Sequence, residues 1–328
     1  MRNTLTRNGY YSDTDEQHLH LLKDVKYQPV FIIGLMRSGT TVLQEMLVRT
    51  DLFNCFSGYH VLAYGNILDN FLNSSEKEII QEIDDKIEAS EISNRVVDSA
   101  KFRARSPYEY GMVMQNAGYQ LQFCKDQFDL ADEIFRKIQF TASNPEKPLL
   151  LKNPADFVSV ADIKSCLPEA KIILIARDPV HIINSQVKYW RLFLSEDTSS
   201  FSYVWRMHKQ INSIPLAKTF GNLLLSPPLG WRYLTWINSL FQQPYLKSLV
   251  NLDPSDYILV KYEELCQYPD ETITRILDYL CLDNQQDLNF QDFIESHPTK
   301  LLPEISSNAA SISQRFTPLK QFWGYDQY

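Results

Sequence analysis

Short apolar runs, each closed by a turn residue or a charge, set the pattern of this chain. "QPVFIIGL" is entered at Pro29 and closed by Gly34, and reads as a buried strand. "KPLLLKNP", "AKIILIARDP" and "DYILVKYEEL" repeat the pattern further on. Between the runs, apolar positions recur at helical spacing. "TTVLQEMLVRT" puts Val42, Met46 and Arg49 on one face with Leu43 and Leu47 beside it. "DFVSVADIKSCLP" and "PVHIINSQVKYWRLF" are helical too; Pro179 stands in the first turn of the latter, where a missing N–H costs nothing. "PDETITRILDYLCL" is a helix that begins on acids. Alternating strands and helices predict an α/β fold with a parallel central sheet covered on both faces. Ligands in such sheets sit at the carboxyl ends of the strands.

The spacing breaks this rhythm over about residues 65–147. "NSSEKEIIQEIDDKIEAS" is a helix of mixed charge, and "SPYEYGMVMQNAGYQLQF" is rich in Tyr, Met and Gln. A helical block between two core strands reads as an inserted cap. Residues 200–250 are helical and aromatic, and the tail, about 300–328, reads as irregular. No repeat or low-complexity linker divides residues 1–328, so a single domain is expected.

Composition adds limits. Apolar content of 44% and charged content of 22% are those of an ordinary globular chain. No apolar run approaches the roughly 20 residues of a membrane span, and the first residues show no secretory h-region. Five dispersed cysteines (Cys55, Cys124, Cys166, Cys266, Cys281) form no C-x-x-C pair, which fits reduced thiols in a cytoplasmic protein. With a net charge of −8 and no dense basic tract, nucleic acid is not expected as a partner, and without a spanning run neither is a membrane. Any anion must be held by a local site.

Such a site is written into "VFIIGLMRSGTTVLQEML". Gly34 to Thr41 joins a strand to a helix, so backbone N–H groups and a helix N-terminus converge on an anion. Ser38, Thr40 and Thr41 add hydroxyls, Gly39 adds conformational freedom, and Arg37 adds a planar charged fork. The spacing is nearly that of a phosphate loop, but Thr40 stands where a nucleotide-hydrolysing enzyme carries lysine. A second anion site is expected from "RDPVHIINS", where Arg177 ends a strand and Ser185 lies two turns into the next helix.

"RSGTT" after one strand, with a later strand ending in Arg177 and followed by Ser185, resembles the sulfotransferases that use 3′-phosphoadenosine 5′-phosphosulfate (PAPS). The resemblance covers roughly residues 28–285 and is nearest the bacterial branch acting on small molecules or carrier-bound metabolites, including secondary metabolites. It implies a P-loop NTPase-like sulfotransferase fold with the inserted cap. Arg37, Ser38, Gly39, Thr40 and Thr41 would hold the 5′-phosphosulfate, and Arg177 and Ser185 the 3′-phosphate, with no metal required. It further implies a base at the end of the second strand. Here "SGYH" leaves His60 in that place and lacks the acidic partner, so His60 is the expected catalytic base. Lys152, which ends "LLLK", would stabilise charge on the leaving phosphate; Asp156 stands where relatives often carry a histidine. Tyr262 is expected near the adenine, and Arg315 over the 3′-phosphate.

The acceptor would meet the cap, where Tyr108, Tyr110, Met112, Met114 and Tyr119 cluster, or the later group Trp205, Trp231, Tyr233 and Trp236. An acidic chain with an aromatic cap favours a neutral or cationic small-molecule acceptor, free or bound to a carrier protein. The alternatives are a P-loop-type kinase or nucleotide hydrolase, and a non-catalytic nucleotide-binding homologue.

Overall fold

The computed structural model describes residues 14–89, 102–195, 214–227, 229–283, 289–291 and 300–325. Trp205, His208 and His297 lie outside them. Five strands are present among the described residues: β1 (Pro29–Ile33), β2 (Asn54–Cys55), β3 (Leu149–Lys152), β4 (Lys171–Ala176) and β5 (Tyr257–Lys261). All pair in parallel, in the order β2–β3–β1–β4–β5. The sequence predicts this sheet because its central strands are apolar on both faces. Alternate residues sort onto opposite sides, as a period of two demands. Phe31, Ile33, Leu149, Leu151, Ile172 and Leu174 enter one core, while Val30, Ile32, Leu150, Ile173 and Ile175 enter the other.

The second core is closed by α1 (Thr40–Arg49) and by the helix Pro269–Tyr279. The first, larger core takes the inserted block. α2 (Gly58–Leu62), α3 (Ile67–Leu72), α4 (Glu76–Ala89), α5 (Gly111–Asn116) and α6 (Phe128–Thr141) lie between β2 and β3, followed by α7 (Val160–Cys166) and α8 (Pro179–Ser195). Tyr108, Tyr110 and Met114, read from the sequence as an acceptor-facing cluster, are buried in this core. A carboxylate pins the block to the sheet. Asp156, just past β3, accepts hydrogen bonds from the Tyr110 hydroxyl, the Phe123 backbone N–H (2.7 Å) and Asn153 Nδ2 (2.8 Å). Burial pushes its pKa up to about 7, against the pull of these three donors.

Among the described residues, the next helices after α8 are α9 (Pro215–Leu225) and α10 (Leu229–Val250), which pack on each other and on α8. The strand expected from "DYILVKYEEL" ends at Lys261, and Tyr262 opens the helix α11 (Tyr262–Gln267). The irregular tail is corrected by the structure. Pro303–Ser306, Ala309–Arg315 and Thr317–Phe322 are short helices that bury Ile305, Ile312, Phe316, Leu319 and Trp323. Pro303 and Pro318, which read as breakers, occupy first-turn positions where proline starts a helix.

Candidate active site

The carboxyl ends of β1, β3 and β4 are neighbours in the sheet, and each delivers one element of the site. From β1 the chain turns through Gly34 to Gly39. A Cβ on Gly34 would lie 2.6 Å from Ser38 Oγ and 2.7 Å from the Ile175 carbonyl, so the turn closes only with glycine. Arg37 (φ 74°) and Gly39 (φ 106°) both take the left-handed region, which bends the loop back over the start of α1. Ser38 is buried, and its hydroxyl has no hydrogen-bond partner among the described residues. A buried orphan hydroxyl in a loop ending on a helix N-terminus fits an anionic ligand.

The two segments read from the sequence as anion sites meet here. Arg37 Nε donates to Ser185 Oγ at 3.1 Å, and Arg177 Nη1 donates to the Arg37 carbonyl at 3.0 Å. The Arg177 guanidinium lies over the Tyr262 ring, 4.1 Å from its centroid. That ring also fills the space above Gly39, where a Cβ would come within 2.3 Å of it. Burial raises the Tyr262 hydroxyl to about 12, so the phenol stays protonated. Gln186 Nε2, one residue past Ser185, donates to the Met36 carbonyl at 3.0 Å and fixes the loop from below.

Lys152 ends β3 and is fully buried. Its Nζ donates to Thr41 Oγ1 at 3.1 Å and to Glu109 Oε1 at 2.6 Å. A buried ammonium needs such a counter-charge. Arg37, Gly39, Thr40, Thr41, Glu109, Arg177 and Tyr262 line one cavity of about 330 Å³, with Met112 and Phe157 supplying apolar wall.

Glu109 was missed in the sequence, although it is the one charged residue between Ser106 and Cys124. It lies in the loop before α5, and its position depends on the cap folding back onto β3. Gly111 permits that approach, because a Cβ there would meet the Leu121 carbonyl at 2.4 Å and Asn153 Nδ2 at 2.6 Å.

Two expected residues stand elsewhere. His60 lies in α2 and does not line the cavity. Its Nδ1 accepts the Ser57 backbone N–H at 3.0 Å and lies 2.9 Å from Ser57 Oγ, as the third residue of a capping box. An Nδ1 that accepts leaves the neutral ring's proton on Nε2, so the ring presents a donor and not the lone pair expected of a base. Burial, with Arg105 nearby, lowers its pKa to about 4. Arg315 ends the helix Ala309–Arg315, donates through Nε to Ser239 Oγ on α10 at 3.2 Å, and is not part of the cavity wall.

This fold and loop define a class. A profile described as "Sulfotransferase family" matches residues 29–287, and the chain belongs to that family. Over 177 residues the chain is 27% identical to omega-hydroxy-beta-dihydromenaquinone-9 sulfotransferase Stf3 of Mycobacterium bovis. That match spans 48% of this chain and 44% of the relative, less than half the relative's length. Among solved structures, sulfotransferase STF9 from Mycobacterium avium superposes with a TM-score of 0.67 at 15% identity, over 94% of this chain and 80% of that one. Sulfotransferase STF1 from Mycobacterium tuberculosis superposes with a TM-score of 0.59 at 14% identity, over 93% and 80%. At these identities the likeness is one of fold.

Proposed function

We propose that the protein moves a sulfuryl group from PAPS to a hydroxyl or amine of a small-molecule acceptor by in-line transfer. The observation that carries this reading is the joining of the two anion sites. The loop after β1 and the Arg177–Ser185 pair share direct hydrogen bonds, so one ligand with two phosphates fits both. PAPS supplies the activated S–O bond; the protein supplies position and charge. The loop N–H groups, Thr40 and Thr41 hold the 5′-phosphate end. Arg177 and Ser185 hold the 3′-phosphate, and Tyr262 flanks the adenine. Lys152 faces the leaving phosphate through Thr41 and stabilises charge as the S–O bond breaks.

The proton acceptor in this reading is Glu109. His60 would need its other tautomer, which breaks its contact with the Ser57 N–H. The Glu109 carboxylate lies in the same cavity as the loop and receives the acceptor's proton as the new O–S or N–S bond forms.

A thermal-shift titration tests the donor site with adenosine 3′,5′-bisphosphate, 5′-AMP and Mg-ATP. A ligand that binds only the folded state adds about 2.7 kcal/mol at a hundredfold its dissociation constant. Strong stabilisation by the bisphosphate alone is expected. Stabilisation by Mg-ATP with none from the bisphosphate would replace this reading with a P-loop kinase or hydrolase.

A further inference from the structure

We propose that the outer face of α9 and α10 docks on an anionic membrane surface, and that the acceptor is an amphiphile whose hydroxyl enters the cavity from that side. The first half stands on the surface itself; the second rests on the sulfuryl-transfer reading.

Nine of the thirteen large hydrophobic side chains exposed among the described residues fall between Ile214 and Val250. They are ordered, not scattered. On α9, Leu216 (80% exposed), Phe220 (65%) and Leu223 (63%) follow the i, i+4, i+7 spacing of one helical stripe. On α10, Trp236 and Leu240 form a second stripe, and the exposed Arg232 and Lys247 stand at its two ends on the same side. Scattered exposed leucines need no explanation, but a two-helix apolar face with basic ends marks an interaction surface.

Charge identifies the partner. Residues 198–252 contain no aspartate or glutamate, where the chain's average would place about seven. The same stretch has five basic residues, Arg206, Lys209, Lys218, Arg232 and Lys247, within a chain of net charge −8. Core packing does not require acids to be absent from exposed positions. A negative lipid surface does, because each carboxylate brought to it is repelled while Lys and Arg are attracted. A bilayer also accepts bulky Leu, Phe and Trp without a shaped counter-surface. No described helix is long and apolar enough to span a membrane, so the contact is peripheral.

Beside that stripe, exposed apolar surface of α10 touches the cavity wall through one ring pair. Phe241 on α10 is partly exposed, and its ring packs edge-on against Phe157 at 5.7 Å between centroids. Phe157 is cavity wall. An acyl or prenyl chain held against α10 would thus present its polar end beside Glu109. Under this proposal the expectation that no membrane is a partner does not hold.

The full chain is floated with phosphatidylcholine vesicles, with and without phosphatidylglycerol. Binding is expected with phosphatidylglycerol, and at least about tenfold weaker binding without it or at high salt. Leu216→Asp with Phe220→Asp removes binding, and Arg232→Glu with Lys247→Glu weakens it about tenfold or more. All four positions are exposed, so both double variants keep the wild-type circular dichroism and the stabilisation by adenosine bisphosphate. No flotation of the wild type overturns the proposal, and equal flotation with both vesicle types overturns its charge basis. A wild-type dimer that Leu216→Asp/Phe220→Asp turns into a monomer, without vesicle binding, assigns the face to a second copy. Capture of an acidic acyl carrier protein without vesicle binding assigns it to a carrier. Loss of bisphosphate stabilisation in the wild type counts against the donor reading alone.

Discussion

Glu109 and Lys152 lie 43 residues apart in the chain and 2.6 Å apart in space, so a carboxylate on the cavity wall is held by a buried cation behind it. Glu109→Gln keeps the shape and the hydrogen bond to Lys152 but cannot take a proton. Turnover of PAPS is expected to fall about 10²–10⁴-fold, with bisphosphate binding retained. His60→Gln, which preserves the capping box, is expected to lower turnover less than about tenfold. Release of adenosine bisphosphate from PAPS measures both. The reverse ranking would return the base to His60.

The loop's backbone makes a second prediction. Gly39→Ala forces a Cβ into a left-handed residue and against the Tyr262 ring. The strain alone costs about 1–3 kcal/mol, and displacement of Tyr262 is expected to abolish stabilisation by the bisphosphate. Gly118→Ala is the control, since Gly118 is also left-handed (φ 89°) but has nothing within 4 Å of a Cβ. It should lower Tm without changing nucleotide binding.

Arg177→Ala separates the two phosphate sites. A hydrogen-bonded charge contact is worth about 1.5–3 kcal/mol. The Kd for adenosine 3′,5′-bisphosphate, measured by calorimetry, should rise about ten- to a hundredfold. The Kd for adenosine 5′-phosphosulfate, which has no 3′-phosphate, should change little. Equal losses for both ligands would remove Arg177 from the 3′ position.

Stability should depend on pH through His60. Burial favours the neutral ring in the folded state, with a pKa lowered from 6.5 to about 4. Its contribution is complete above pH 6.5 and is lost as the pH falls towards about 4. Asp156, raised from 3.8 to about 7, acts in the opposite sense: its contribution is complete below 3.8 and is lost as the pH rises to about 7. The windows overlap, so the difference in Tm between the wild type and His60→Gln isolates the histidine. That difference should vary between pH 6.5 and 4, with the variant losing less stability as the solution is acidified. A constant difference across this interval would show that His60 does not titrate on unfolding.

The sheet and the strand–loop–helix turn after β1 were legible in the sequence because local chemistry encodes them: apolar runs and a loop that needs glycine. The contact of Glu109 with Lys152 was not, because it is made by the cap across the sheet. His60 carries two signals at once. Its position relative to the second strand pointed to catalysis, while the spacing Ser57-x-x-His60 already spelled a helix cap. The tail's helices were masked by prolines, although Ile305, Ile312, Phe316, Leu319 and Trp323 hold a helical period. The α9–α10 face was hidden by averaging, since a net charge of −8 conceals a stretch free of acids.

The bonds at Asp156 also set a rule for building hybrids. At Asp156 the inserted block meets the end of β3 through a carboxylate that takes a phenol from Tyr110 and a backbone N–H from Phe123. A cap transplanted from another family member would have to bring both donors to the same two points, or be moved together with the segment from Asn153 to Asp156. The block is therefore exchangeable only in a unit that includes the end of β3, and a graft cut at the cap's own helix boundaries would strand a buried acid.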